Sequence, residues 1–248
     1  MKITVITATW NSETTIEDSL QSFAAQDYKN TEYLIIDGAS TDSTLDIIKE
    51  KGKRVDRVVS EKDNGIYDAL NKGIAMATGD VVGFLHSDDL FAHSSVLSRV
   101  AEAFELKGVD AVYGDLNYVS KLNTNKVIRH WKGGEYSREK IRNGWMPPHP
   151  TFYMKRSCYE SFSAFNLDYR IAADYDSILR YLWRQQLSAA YIPDVLIKMR
   201  VGGESNRSIR NIINKSKEDC KAMLENGLPV ARALFGKNFS KIPQFFVR

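Results

Sequence analysis

Cysteine is scarce. The 248-residue chain carries only Cys158 and Cys220, with no CxxC spacing, which excludes a disulfide framework and gives no zinc site. No apolar run reaches the roughly 18 residues that a membrane-spanning helix needs. The chain also enters a β-branched run at once, without the basic and apolar segments of a signal peptide. These absences predict a cytoplasmic protein. An excess of one charge is missing too: 34 Lys and Arg stand against 31 Asp and Glu, a net charge of +3. With both signs mixed along the chain, no nucleic-acid partner is expected.

What is present is enough for one large core, or for one domain with an appended subdomain, since 43% of the residues are hydrophobic. The central stretch runs from Val81 to Phe91, VVGFLHSDDLF. Its apolar start reads as a buried strand that ends in two adjacent carboxylates, Asp88 and Asp89. Two poorly solvated anions side by side repel each other, so a site that keeps both ionised normally supplies a cation. Oxygen ligands suit Mg²⁺ or Mn²⁺, and Mg²⁺ is typically shared between one or two carboxylates and substrate phosphates. A diphosphate is the expected third party. The competing reading is that Ser87-Asp88-Asp89 merely caps a following helix.

Ile3 to Ala8, Tyr33 to Ile36 and Arg57 to Ser60 read as further strands, each followed by a turn and a helical pattern. Asp63-Asn64-Gly65 makes a turn into a helix from Ile66 to Thr78, which Gly79 ends. Strands alternating with such helices imply a parallel sheet with right-handed crossovers. The fold class is therefore α/β, with a Rossmann-like, mostly parallel sheet flanked by helices. Ligands of such sheets sit beyond the carboxyl ends of the strands, so the loops Ala8 to Ser12, Asp37 to Asp42 and Ser87 to Asp89 should converge on one crevice. Trp10 there offers a face for stacking on a base, and Asp37 or Ser40 offers hydrogen bonds to base or ribose. A core or edge aromatic is the other reading of Trp10.

Beyond a strand at Ala111 to Asp115, residues 116 to 145 look irregular, suited to acceptor contacts or a mobile lid. The prolines of Met146-Pro147-Pro148-His149-Pro150 fix an extended chain that delivers His149 at the start of a strand, for substrate contact or a structural hydrogen bond. Asp174 and Asp176 open a helix through Leu182, as site residues or as dipole-favoured caps. From Lys215 onward basic residues exceed acidic ones and the chain closes with Lys237, Lys241 and Arg248 among Phe235, Phe239, Phe245 and Phe246. Such a tail suits either an anionic membrane surface or packing on its own domain.

Five segments in order carry a resemblance: Thr9-Trp10-Asn11, the Asp37 to Asp42 loop DGASTD, the Asp63 to Gly73 block DNGIYDALNKG, Ser87-Asp88-Asp89 as a version of the metal-binding DxD motif, and Ala173-Asp174-Tyr175-Asp176 before Leu179-Arg180. Over residues 1 to 205 the chain resembles the family 2 glycosyltransferases of GT-A fold, in particular those that build bacterial surface polysaccharides of colanic-acid, capsular or O-antigen type. The resemblance implies a nucleotide-sugar-binding half, 1–115, an acceptor-binding half, 116–205, and a helical, basic and aromatic extension, 206–248. It implies that Ala8, Trp10 and Asn11 border base and ribose with Asp37 and Ser40 nearby, and that Asp63, Asn64, Gly65 and Asp68 border the nucleotide and its diphosphate. Asp88 would face ribose or donor sugar, Asp89 would meet Mn²⁺ or Mg²⁺, and Asp174 matches the catalytic base. Trp145, His149 and Asp176 are expected on the acceptor side.

An inverting displacement needs a carboxylate to take the acceptor proton and a metal to neutralise the departing diphosphate, which supports Asp174 independently. The expected partners are a UDP-sugar donor and a glycan or lipid-linked oligosaccharide acceptor, with the protein peripheral on the inner membrane's cytoplasmic face. The chain departs from the family pattern in three places. Asp37-Gly38-Ala39 replaces a more acidic loop, Ala173-Asp174 replaces Glu-Asp, and no histidine near Arg200 to Ser205 completes a metal site, where Glu204 is the substitute. Two other readings remain. A sugar-nucleotide pyrophosphorylase would need a Gly-rich, cationic loop after the first strand, and Ala8 to Ser12 has neither. A non-catalytic nucleotide-sugar-binding module would not need Asp88, Asp89 and Asp174 together.

Overall fold

The protein was analysed as a computed structural model that describes residues 1–202 and 209–239. Glu204 and the tail residues Lys241, Phe245, Phe246 and Arg248 lie outside them. The first half alternates as the apolar periodicity requires: β1 (Ile3–Thr9), α1 (Ile16–Ala24), β2 (Thr31–Asp37), α2 (Thr44–Lys51), β3 (Arg57–Ser60), α3 (Ile66–Met76) and β4 (Val81–Phe84). These strands pair in parallel in the order β3-β2-β1-β4. Both sheet faces are covered, which explains the continuous apolar runs. Ile6, Ala8, Val82 and Phe84 point to the face carrying α3. Ile3, Val5, Val81 and Leu85 point to the opposite face, under α1.

β5 (Leu90–Phe91) follows directly on Asp89, and the next helix, α4 (Val96–Lys107), begins only at Val96. The aspartate pair therefore does not cap a helix. The second half adds β6 (Ala111–Val119), β7 (Val127–Trp131), α5 (Arg138–Arg142), a 3₁₀ turn over His149–Thr151, β8 (Tyr153–Lys155), α6 (Arg156–Phe162), α7 (Ala173–Ile178) and β9 (Ala189–Arg200). β8 inserts antiparallel between β4 and β6, while β9 runs parallel to β6. The sheet of nine strands is thus mixed rather than wholly parallel. Two expectations are corrected. The region after Asp115 is not irregular, because β6 continues to Val119 and folds back through β7 as a hairpin. His149 lies in the 3₁₀ turn before β8 rather than at a strand's start.

The C-terminal helices α8 (Ile209–Glu225) and α9 (Val230–Phe239) pack on the domain. Gly144 and Gly236 permit this approach: a Cβ on Gly236 would stand 1.8 Å from the Asn143 carbonyl oxygen, and one on Gly144 would stand 2.0 Å from that of Ala233. α8 also fastens the backbone that leads into α7, whose N-cap Ala172 has no capping side chain of its own. Glu218 on α8 accepts from the amides of Arg170, Ile171 and Ala172 at 3.2, 2.8 and 2.8 Å. Asn226 donates to the buried Asp176 at 2.8 Å. Replacing Glu218 by Ala strands these donors and is expected to lower the unfolding free energy by about 2 kcal/mol, measured by urea denaturation. A change within error would show that α7 does not depend on α8.

Candidate active site

The loops after β1, β2 and β4 are bound to one another by hydrogen bonds that set a crevice at the carboxyl ends of the strands. Asn11, in the left-handed region at φ 47°, donates its amide to Ser40 Oγ at 2.8 Å and accepts from the Thr41 amide at 2.9 Å. Ser12 and Ser87 share a hydroxyl contact of 2.9 Å. Asp37 is fully buried and takes hydrogen bonds from the Ser40 amide at 3.0 Å, the Ser60 hydroxyl at 2.6 Å and the Ser40 hydroxyl. Its carboxylate organises the loop. Trp10 is 67% exposed beside the buried Ala8, so its ring is open to a ligand and is no core aromatic.

Asp63 reaches into the same crevice because Gly38 has no side chain: a Cβ there would stand 2.6 Å from Asp63 Oδ2. Asp63 Oδ1 accepts from the Gly65 amide at 2.9 Å, and Asp68 accepts from the Asn64 amide at 3.0 Å. These bonds shape the turn into α3, with Asn64 exposed at its tip.

Asp89 is 1% exposed. Its Oδ1 accepts from the Arg200 amide at 3.3 Å, while its Oδ2 is buried and has no hydrogen-bond partner among the described residues. Burial, then the charge of Asp88, holds its carboxyl well above the ordinary 3.8. Arg200 is itself buried. Its guanidinium donates to the Asp88 carbonyl at 2.6 Å and pairs with Asp18 on α1, so it pins the loop that carries both aspartates. An orphaned buried carboxylate oxygen beside a second carboxylate fits a hard divalent cation. Among the described residues no cluster of three or more His, Cys, Asp or Glu forms a closed metal cage. The remaining ligands of such a cation would come from a diphosphate and water.

Asp174 stands in the first turn of α7. His149 Nδ1 lies 3.1 Å from its Oδ2, and the Tyr67 hydroxyl lies 3.3 Å from its Oδ1 and donates to the Ile171 carbonyl at 2.8 Å. Burial by itself would raise its pKa, but His149, Lys215, the Tyr175 amide and Lys237 outweigh that and bring it below 3.8. Burial lowers the pKa of His149 in turn. At neutral pH the pair is thus an ionised carboxylate and a neutral imidazole placed to donate its Nδ1–H. Asp174 opens into a cavity of about 180 Å³ walled by Phe84, Phe152, Tyr159 and Phe165.

His86, at the end of β4, lines the same cavity with its Nδ1 buried and unpartnered. Burial lowers its pKa most, and it responds next to Asp88 and then to His149 and Asp174. Tyr118, whose pKa burial raises, feels both Asp89 and Asp174. His86 and Tyr118 thus lie within electrostatic reach of both the β4 loop and Asp174. Two residues expected on the acceptor side do not join it. Asp176 is 4% exposed and is held by Arg180 at 3.3 Å and by Asn226. The Trp145 indole donates to the Gly133 carbonyl at 2.9 Å and packs on Tyr113. His86, Tyr67 and Arg200 were not expected at the site. Tyr67 lies inside the 63–73 block and His86 inside the central stretch Val81 to Phe91, in the loop after β4.

This α/β sheet, with loop-borne carboxylates at its strand ends, has the architecture of the GT-A fold. Its solved counterparts are GT-A glycosyltransferases. The chain aligns with Staphylococcus aureus TarS residues 1–349 at a TM-score of 0.73 and 19% identity, covering all of this chain and 75% of that one. It spans 44% of the longer TarS structure. With the mannosyltransferase PcManGT of Pyrobaculum calidifontis, solved with GDP-Man and Mn²⁺, the TM-score is 0.69 at 19% identity over 98% of this chain and 71% of that one. The profile of glycosyl transferase family 2 matches residues 4–165. A PGL/p-HBAD biosynthesis glycosyltransferase of Mycobacterium tuberculosis is 32% identical over 208 residues, 82% of this chain and 78% of that protein. The chain belongs to glycosyl transferase family 2.

Two outcomes follow from the buried charges. Asp89→Asn relieves an unpaired buried carboxylate, so in EDTA its melting temperature rises above wild type; a fall would show that the ionised group is paired in the apo protein. For Asp174 the folded pKa is depressed, so its charge stabilises the fold above the unfolded value, and that stability is lost as pH falls through the folded value. Wild type should exceed Asp174→Asn in melting temperature at neutral pH, with the gap closing below pH 3.8. A gap that persists or grows in acid contradicts the assignment.

Proposed function

We propose that the protein is an inverting glycosyltransferase that moves a sugar from a nucleotide-sugar donor to an acceptor hydroxyl. The observation that supports this is Asp174, ionised and only partly exposed at an aromatic cavity that His86 of the β4 loop also lines, three residues before the orphaned carboxylate of Asp89. Trp10 stacks on the base, with Asn11 and Ser40 lining the ribose and Asp63 and Asn64 near the diphosphate. Asp88 and Asp89 would hold a divalent cation, which supplies charge neutralisation to the departing diphosphate. Asp174 accepts the acceptor proton as the new bond to the anomeric carbon forms and the bond to the diphosphate oxygen breaks. An α-linked donor then yields a β-linked product.

His149 and Tyr67 fix the base. Their contacts to its two oxygens hold the carboxylate's orientation, and the depressed pKa keeps it available as a base throughout the neutral range. The solved counterparts support the choice of ligands: TarS residues 1–349 have been crystallised with UDP-GlcNAc, and PcManGT with GDP-Man and Mn²⁺. For this chain the proposed donor is a UDP-sugar, with Mn²⁺ or Mg²⁺ as cofactor. The proposed acceptor is a glycan, carried on a lipid at the cytoplasmic face of the membrane during surface-polysaccharide synthesis. Among the described residues no helix is long and apolar enough to cross a membrane.

The test is Asp174→Asn, assayed with a panel of UDP-, GDP- and dTDP-sugars and Mn²⁺. Donor binding by calorimetry should persist while transfer, or slow donor hydrolysis, falls about 10²–10⁴-fold. Near wild-type turnover in the variant would remove Asp174 from the role of base. A folded wild-type protein that binds no donor in the panel would contradict the transferase reading itself.

A further inference from the structure

The hairpin of β6 and β7 has a character found nowhere else among the described residues. From Leu116 to Gly134 the chain carries Lys121, Lys126, Arg129 and Lys132 and no acidic residue. At and near its turn, Leu122 is 96% exposed, Val127 50% and Ile128 54%. Large apolar side chains scattered singly over a surface are ordinary. Three of them within seven residues of one hairpin, flanked by exposed Lys121 and Lys126, are not scattered. β7 is an edge strand of the sheet, paired with β6 alone, and the turn between them runs past the last β6–β9 pair, Val119 with Arg200.

We infer that this hairpin is a docking element for an anionic lipid bilayer, the aliphatic tip entering the interface while Lys121 and Lys126 meet the headgroups. The pattern matches the two requirements of reversible surface binding. Apolar side chains supply burial among acyl chains, and basic ones supply attraction to anionic lipid. Nucleic acid fits less well, because the tip carries no aromatic face for a base to stack on and its aliphatic groups gain nothing from phosphates.

The root of the hairpin lies at the active site. Trp131 stacks on Tyr118 at 6.3 Å, the Arg129 guanidinium stands 3.9 Å from the centre of the Tyr118 ring, and Trp131 meets the His149 ring edge-on at 6.4 Å. His149 in turn contacts Asp174. At about 3.3 Å per strand residue the tip stands roughly 15 Å beyond this root. Docking by the tip therefore holds Asp174 facing a lipid-borne acceptor at a fixed height. The inference rests on the transferase reading for its purpose; its test measures partitioning rather than transfer, so either can fail alone.

The full chain is sedimented with vesicles of phosphatidylcholine alone and of phosphatidylcholine with phosphatidylglycerol. Wild type should partition onto the anionic vesicles and not onto the neutral ones. Leu122→Asp/Ile128→Asp and Lys121→Glu/Lys126→Glu should each weaken partitioning by about tenfold or more, with melting temperature and calorimetric donor binding unchanged. Wild-type failure to bind the anionic vesicles overturns the inference, as does either variant binding like wild type. So does loss of binding on deletion of residues 240–248 with both hairpin variants unaffected. Heparin separates lipid from polyanion binding: an aliphatic pair that proves irrelevant, with the lysine pair weakening heparin and vesicles equally, would reduce the hairpin to a polyanion patch and overturn the inference.

Discussion

Two like charges kept side by side at the end of a buried strand are the constraint around which the structure is built. A buried carboxylate oxygen without a hydrogen-bond partner is costly, and among the described residues Asp89 Oδ2 has none. Arg200 is buried close by, yet its guanidinium is directed to the Asp88 carbonyl and to Asp18, and only its backbone amide touches Asp89. The protein thus fixes the position of the Asp89 carboxyl without pairing its Oδ2 with a cation among the described residues. Under the proposed function, a cation and a diphosphate bound here would stabilise the folded protein.

Asp174, the proposed base, is held by elements far apart in the chain. Tyr67 comes from α3, His149 from the turn before β8, and Glu218 from α8 fastens the backbone that leads into α7. The C-terminal helices are therefore part of what positions the chemistry. Lys215 and Lys237, both on those helices, lower the pKa of Asp174. A carboxylate in a mostly aromatic cavity would otherwise become harder to ionise; the surrounding cations reverse that tendency and leave it charged at neutral pH.

The parallel half of the fold was legible because β1, β2 and β4 are buried on both faces and read as unbroken apolar runs with turn residues between them. The β6–β7 hairpin was not. Its polar, basic turn and exposed aliphatic residues break the alternation that marks a half-buried strand, and Val119 is followed at once by loop-like residues. The loop aspartates could be found because carboxylates at strand ends have few structural reasons to cluster. Asp176 and Trp145 were misjudged for a different reason. A carboxylate paired with Arg180 and Asn226, or an indole bonded to the Gly133 carbonyl, has the composition of a site residue, and only the three-dimensional partner shows that it is packing. The role of Glu218 was invisible, since contact across 46 to 48 residues leaves no local pattern.

The central claim is that Asp89 and Asp174 face one space, with a diphosphate held on the aspartate-pair side. A crystal structure of the protein with UDP and Mn²⁺, with the metal located by its anomalous signal, tests it most directly. The account predicts manganese on the Asp89 carboxylate and on diphosphate oxygens, the uracil against Trp10, and Asp174 open towards the β-phosphate. Manganese bound away from Asp88 and Asp89, or a diphosphate seated where the aromatic cavity and Asp174 do not face it, would contradict it.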